Sequence, residues 1–390
     1  MDIEARIKRR QRRDGEPRLV QDYTSLSPVT HVDEPADRGP LFERLLDYLD
    51  PIFDGKLPSN AYLYGPGGVG KSAVVTALIA HLQQLPTETQ TVIHTTTRAQ
   101  QLISPSFVYV DARVTTSEFA FYHAVLDSLV EDTVPEHGIG TETLRSRLRE
   151  ELAGSNVGVV VAVDHVGEAR SIHEEDLLAL FSGLPDSVSW LAIGRIDPAM
   201  TDLTEPAAES IRVEPYQRQM LVDVLMMRAS TGLAQQALGR DLAYDIAEWA
   251  DGNAHNALAA LFIATDHANE AGRTKLIGAD VEAAIEEMPV PCISLGIVLA
   301  LPANRQAVLR ELVDLGPKER SSVTATTAAI SGSDNVDLSP GTVKRFLYEM
   351  AEAGVVDRVQ SATQGGQGRP PSRVEPRFPP TVFRRLYDLR

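Results

Sequence analysis

Gly65-Pro66-Gly67-Gly68-Val69-Gly70-Lys71-Ser72 decides the fold. Its spacing is that of a phosphate-binding P-loop, G-x-x-x-x-G-K-[ST]. Ala61-Tyr-Leu-Tyr64 before it is apolar and aromatic and suits a buried strand. Ala73 to Leu85 after it reads as a helix, with Val74, Leu78, Leu82 and Leu85 at helical spacing. Strand, Gly-rich turn and helix are the context the motif needs. The glycines let backbone N–H groups approach phosphates, and the new helix offers its unpaired N–H groups and positive end. Gly65, Pro66, Gly67, Gly68, Val69, Gly70, Lys71, Ser72 and Ala73 are the expected nucleotide cradle. Lys71 would reach the β- and γ-phosphates, and the Ser72 hydroxyl would ligate Mg²⁺.

Downstream, Phe107-Val-Tyr-Val-Asp111 is a second strand, followed by helices over Ser117–Leu129 and Thr141–Leu152. This alternation predicts a parallel α/β sheet. The β-branched run Val157-Gly-Val-Val-Val-Ala-Val163 is what a central parallel strand, buried on both faces, requires. It ends in Asp164-His165. Asp164 is read as the Walker B aspartate and second Mg²⁺ ligand; an ordinary strand-end cap is the plainer alternative. Trp190–Ile193 is a further strand, and Ile211–Val213 a last short one. Pro86–Ser104 is polar and Thr-rich and reads as a loop or a ragged edge.

From Gln217 to Met288 the pattern is helical throughout, with no strand between. Pro289–Pro291 marks a boundary. Beyond it the segment reads as a winged helix: helices over Arg305–Leu315, Ser322–Ile330 and from Pro340, then strands Val355–Val359 and Arg373–Phe378. Ser339-Pro340 is a strong helix start. The helix it opens buries Val343, Phe346, Leu347 and Met350 and shows Thr342, Lys344 and Arg345 on its other face.

The domains expected are a basic N-terminal tail (1–31), a nucleotide-binding base (32–213), a helical lid (214–290) and the winged helix (291–390). The tail carries Arg6, Lys8, Arg9, Arg10, Arg12 and Arg13, either as a solvated segment or as a nucleic-acid arm. The formal net charge is −17, and only six residues are Lys. Such a surface suits a high-salt cytoplasm, or simply avoids polyanions. The last segment differs: from Asn304 onward, 13 Lys and Arg face 10 Asp and Glu, a net of +3. Thr342, Lys344 and Arg345, with Arg369 and Arg373 on the wing, are therefore the expected contacts to double-stranded DNA. A winged helix that binds protein is the alternative. Cys292 is the single cysteine, no apolar run could span a membrane, and the N-terminus has no apolar core segment, so a cytoplasmic protein is expected.

The order of P-loop, strand ending in Asp111-Ala-Arg113, Walker B, helical lid and winged helix resembles the archaeal replication initiators. These are the AAA+ family related to the large origin-recognition subunit and the cell-division-cycle loader. Val134-Pro135 and Gly138, Glu214-Pro-Tyr216, and Gly252-Asn-Ala-His-Asn-Ala-Leu258 add softer matches. The resemblance spans about Val32 to Leu389. It implies an AAA+ P-loop NTPase base with an all-α lid and a C-terminal winged helix, binding ATP or ADP with Mg²⁺. It also implies origin DNA and the replicative helicase, or other replication proteins, as partners. Three departures bear on catalysis. His165 stands where the family has the Walker B glutamate, Gly194-Arg195 where its first sensor offers a small polar side chain, and His255 where its second sensor has Arg. No arginine finger follows Asp197. Asp164 and His165 are thus the catalytic candidates, and hydrolysis is expected to be weak or absent. A regulatory AAA+ ATPase without an origin role is the alternative reading.

Overall fold

The computed structural model describes residues 18–33, 35–84, 104–153, 157–168, 171–360 and 372–390. These form two compact units, His31–Pro215 and a second that joins residues up to Thr30 to Tyr216–Arg390. The basic residues at 6–13, the 86–103 stretch and Arg369 lie outside the described residues.

In the first unit, α1 (Gly39–Leu49) has Pro40 in its first turn and buries Leu41, Leu45, Tyr48 and Leu49. Then come β1 (Ala61–Tyr64), α2 (Lys71–Gln84), β2 (Ser104–Asp111), α3 (Glu118–Asp127), α4 (Thr141–Leu152), β3 (Val157–Val166), α5 (Glu174–Ser182), β4 (Val188–Gly194) and β5 (Glu209–Arg212). The five strands form one parallel sheet in the order β2-β3-β4-β1-β5. Alternation in β3 sets the two cores. Val159, Val161 and Val163 pack with Phe121, Phe181 and Trp190 on one face, while Val160 and Ala162 pack with Leu63, Leu191 and Ile193 on the other. Each such buried Val, Leu, Ile or Phe side chain contributes about 1.5–3 kcal/mol relative to exposure. This two-sided burial is why β3 reads as a continuous apolar run. It also places the strand ends β3, β4 and β1 side by side, where the P-loop leaves β1.

In the second unit, α6 (Arg218–Gly232), α7 (Arg240–Ala250), α8 (Ala254–Glu270) and α9 (Gly278–Glu287) precede a short α10 (Leu295–Leu299). Next are α11 (Ala303–Asp314), α12 (Val323–Ser331) and α13 (Pro340–Glu352), the antiparallel pair β6 (Val356–Gln360) and β7 (Ser372–Pro376), and α14 (Pro380–Asp388). Ser339 caps α13 through a hydrogen bond from Thr342 N (3.2 Å).

One expectation is corrected. Residues 18–30 are not a solvated tail but part of this second unit. Leu19 and Leu26 are buried, Val20 bridges Leu233, and Gln21 N donates to Gly232 O at 2.8 Å. Arg228 donates to Ser25 O at 3.0 Å, and the Tyr23 hydroxyl donates to Asp266 at 2.9 Å. Two apolar side chains and backbone pairing to α6 offset the ordering cost of a short polar segment.

Candidate nucleotide site

The P-loop runs from the end of β1 into α2, which begins at Lys71 rather than Ala73, so Lys71 and Ser72 lie in the first helical turn. Gly65 passes so close to β5 that a Cβ there would stand 2.4 Å from Val213 O, which excludes any other residue. Buried Arg38, just before α1, donates to Val69 O (2.6 Å) and Glu214 O (3.1 Å) and braces the loop from below. Lys71 is buried and donates Nζ–H to Gly65 O (2.7 Å) and Pro66 O (2.8 Å). An ammonium has three donors, so one remains for a ligand. Burial, then the nearby Arg195 charge, lower its pKa from 10.5 to about 8, against the pull of Asp164 and Glu168. A site that disfavours its own cation in this way suits an anion that would restore the charge.

Asp164 is buried near the end of β3, beside Asp111 of β2. It accepts from the Tyr109 hydroxyl at 2.8 Å and from His165 N at 2.7 Å. Burial and the Asp164 charge push the Tyr109 phenol up, so it stays a donor. Asp111 is held by Arg113 through two nitrogens, at 2.7 and 3.0 Å. Burial would raise the Asp111 pKa, but that guanidinium outweighs it and holds the carboxyl below the usual range.

After Asp164 the strand breaks register. His165 takes φ +64°, the pairing to β4 shifts between Val163 and Val166, and Gly167 follows at φ +72°. A β-bulge of this kind re-aims side chains at a strand end. Here it turns the chain back, with Ser171 N and Oγ donating to Glu168 O at 3.0 and 2.7 Å. Glu168 thereby returns to the site. Its Oε1 accepts from His165 Nδ1 (3.1 Å) and Arg195 Nε (2.8 Å). Burial raises the Glu168 pKa, yet the His165 hydrogen bond and the Arg195 charge more than offset this and lower it.

The structure therefore brings together Gly65–Ser72, Asp164, His165 and Arg195, the last at the position given to the first sensor, and adds Tyr109, Arg113 and Glu168, to which the sequence assigned no role. Glycine after His165-Val166 was the one available sign of a tight return. Among the described residues no group of three or more His, Cys, Asp and Glu could hold a metal ion on its own. Mg²⁺ does not require one. It keeps waters and phosphate oxygens and takes one or two protein oxygens, which Ser72 and Asp164 fit. When bound, such an ion would neutralise phosphate charge; the chain's own part is to fix the Asp164 carboxylate through Tyr109 and the His165 amide.

In the second unit His255 lies in the first turn of α8. Its Nε2 accepts from Leu295 N at 3.0 Å. The DNA candidates are spread over two surfaces. Lys344 and Arg345 are exposed on α13. Lys344 Nζ lies 5.9 Å from the Tyr348 ring centroid, and Arg358 Cζ of β6 lies 4.6 Å from the same ring. Arg345 reaches Glu349 at 3.7 Å, and the Thr342 and Ser339 hydroxyls are hydrogen-bonded at 3.0 Å. Arg373 pairs with Val359 and Arg358 with Val374, so the two arginines point to opposite faces of the ribbon. Arg373 is also tied to Glu375 at 2.6 Å. Among the described residues no helix is long and apolar enough to cross a membrane.

The family profile described as the AAA ATPase domain matches residues 34–193. The ORC1-type DNA replication protein 1 of Sulfolobus acidocaldarius is 24% identical over 295 residues, covering 72% of this chain and 70% of that protein. The Aeropyrum pernix ORC1 protein, solved in complex with DNA, superposes with a TM-score of 0.61 at 19% identity, over 96% of this chain and 98% of that one. The Aeropyrum pernix ORC2 protein, solved as ADPNP–ADP complexes, does so with a TM-score of 0.55 at 17% identity, over 95% and 98%. The sheet order, the P-loop between β1 and α2 and these likenesses agree: residues 34–193 match the AAA ATPase domain, and the chain is similar to archaeal ORC1-type DNA replication proteins.

Proposed function

We propose that this protein is a nucleotide-binding, DNA-binding replication initiator that turns ATP over weakly or not at all. Lys71 and the 65–73 backbone would take the phosphates of ATP or ADP, and Ser72 and Asp164 the Mg²⁺. Residues 32–213 would be the base, 214–290 the lid and 291–390 a winged helix. Loading of the replicative helicase, or contact with other replication proteins, would follow from this role. The charge of −17 and the six lysines fit a high-salt cytoplasm. Support comes from relatives named as ORC1-type DNA replication proteins and from neighbours solved with DNA or with ADPNP and ADP.

The observation that carries the DNA reading is the pair Lys344 and Arg358 on the Tyr348 ring, a cationic surface on an otherwise acidic chain. Two cations held by one ring are fixed in place for phosphate contact. The weak-turnover reading rests on His165 in the glutamate position and on His255 accepting a backbone hydrogen bond. A regulatory AAA+ protein whose last domain binds protein is favoured by a different observation: Arg345 and Arg373 are each paired with a glutamate.

Capture from sheared DNA of the source cell, in molar KCl with ATP and Mg²⁺, separates the two. Enrichment of a few discrete loci, lost in a Lys344→Glu/Arg345→Glu variant, supports the initiator. Uniform retention, or none, supports the regulatory protein.

A further inference from the structure

Asp266 of α8 joins two segments that lie far apart in the chain. Its side chain is only 7% exposed, and its Oδ1 accepts from the Tyr23 hydroxyl at 2.9 Å and from Arg385 Nη2 of α14. Tyr23 precedes the parallel sheet in sequence and Arg385 follows β7, yet both meet on one oxygen. They also touch each other: Arg385 Cζ lies 5.1 Å from the Tyr23 ring centroid. The same ring packs on Phe262 of α8 with centroids 5.2 Å apart. Burial and the Asp266 charge push the Tyr23 phenol up, so it stays a donor. A buried carboxylate that loses one donor is left with unmet charge, so the three groups are held as a set.

The segment that carries Tyr23 is fastened along α6. Asp22 caps the single helical turn Tyr23–Leu26 by accepting from the Thr24 and Ser25 amides, both at 2.9 Å. Leu19 O accepts from Ala234 N at 2.8 Å, and buried Arg228 donates to Thr30 O. Gly232 permits the close approach: a Cβ there would stand 2.6 Å from Leu26 Cγ and 2.9 Å from Asp22 O. The chain then enters the first unit at His31 and returns to the second at Tyr216. On the other side of α14, Arg384 pairs with Asp314 of α11 at 2.7 Å, and Asp388 accepts from Arg310 of α11 at 2.8 and 3.0 Å. So α14 stands between the segment 18–30 with α8 and the helices that precede β6.

We propose that residues 18–30 are a strap that latches α14 to α8, with Asp266 as the shared catch, so that α6–α8 and α11–α14 move as one body. Each part has its task. The backbone bonds to α6 and the Leu26 contact at Gly232 fix the strap in place. Tyr23 holds the Asp266 carboxylate and covers the Arg385 guanidinium. Arg385 carries the hold into α14, and Arg384 and Asp388 pass it on to α11. Loosening the strap therefore frees α14 from α8, and loosening α14 frees the strap. No bound nucleotide or DNA is needed for this coupling.

The test is amide hydrogen exchange of the full chain, read by mass spectrometry, for wild type, Tyr23→Ala, Tyr23→Phe, Arg385→Gln and the Tyr23→Ala/Arg385→Gln double variant. Strands β1–β5 of the first unit serve as the internal reference and should change by less than about twofold. Tyr23→Ala is expected to speed exchange in residues 380–388 by about fivefold or more, and Arg385→Gln to do the same in residues 19–26, because coupling between two sites is reciprocal. Tyr23→Phe keeps the ring and loses only the hydroxyl, so its effect on 380–388 should be the smaller. The double variant should speed exchange by less than the product of the two single effects. Faster exchange confined to the element that carries the substitution would overturn the proposal and leave two independent contacts. Equal speeding in every element, β1–β5 included, would also overturn it, since the cluster would then serve only the stability of the whole chain.

Discussion

Asp111 and Asp164 stand opposite one another at the ends of β2 and β3, yet they do not share a partner. Asp111 is closed off by Arg113, and Asp164 is held by the Tyr109 hydroxyl. One carboxylate is neutralised so that its neighbour can carry the site's negative charge. Replacing Arg113 by Ala would leave the half-buried Asp111, beside Asp164, with only the backbone N–H of residue 113 at 2.9 Å. We expect a loss of about 2 kcal/mol in unfolding free energy, read by urea titration. A loss under about 0.5 kcal/mol would mean that solvent serves Asp111 instead.

Lys71 carries a pH signature. Its pKa falls from 10.5 in the unfolded chain to about 8 in the fold. Between those values the unfolded chain binds more protons, so this group makes stability rise with pH across that window. Below it the buried charge costs about 3 kcal/mol, at about 1.4 kcal/mol per pKa unit. Lys71→Met should therefore make the ligand-free protein more stable at pH 7 by about 1–3 kcal/mol, a gap that closes as pH approaches 10. A variant less stable than wild type at pH 7 would contradict this.

Arg358 is a proposed DNA contact that the sequence did not single out. Arg358→Ala should weaken DNA binding on all sequences alike and reduce the slope of log affinity against log salt by about 1. Fluorescence anisotropy across a salt series measures it. An unchanged slope would place Arg358 outside the DNA face.

Cys292 should be inert. Burial pushes its thiol from 9.0 up to about 12, only weakly opposed by Arg377. The thiolate is the reactive form, so alkylation by iodoacetamide at pH 8 should be slower by about a hundredfold or more in the folded protein than in urea. Equal rates would show the segment to be open.

The P-loop, β3 and the capped helix α13 were legible because local spacing alone fixes them. Glu174–Ser182 was not read as a helix, since a nine-residue element with three buried side chains gives little periodicity to find. Residues 18–30 were misread for a different reason. Leu19 and Leu26 are isolated apolar residues among charged ones, and their partners on α6 lie about two hundred positions away. Glu168 could not be placed because its position depends on a backbone event, the positive φ at His165. Sequence spacing counts residues along a regular strand, and a bulge breaks that count. His165 fell in the glutamate position by count, while a carboxylate reached the site three residues later by geometry.

The claim on which the rest depends is that the first unit binds nucleotide through Lys71. Calorimetric titration of Mg²⁺ and ATP into wild type and Lys71→Ala tests it most directly. The account predicts saturable binding at one site per chain for wild type and none detectable for Lys71→Ala. Equal heats from the two proteins would contradict it.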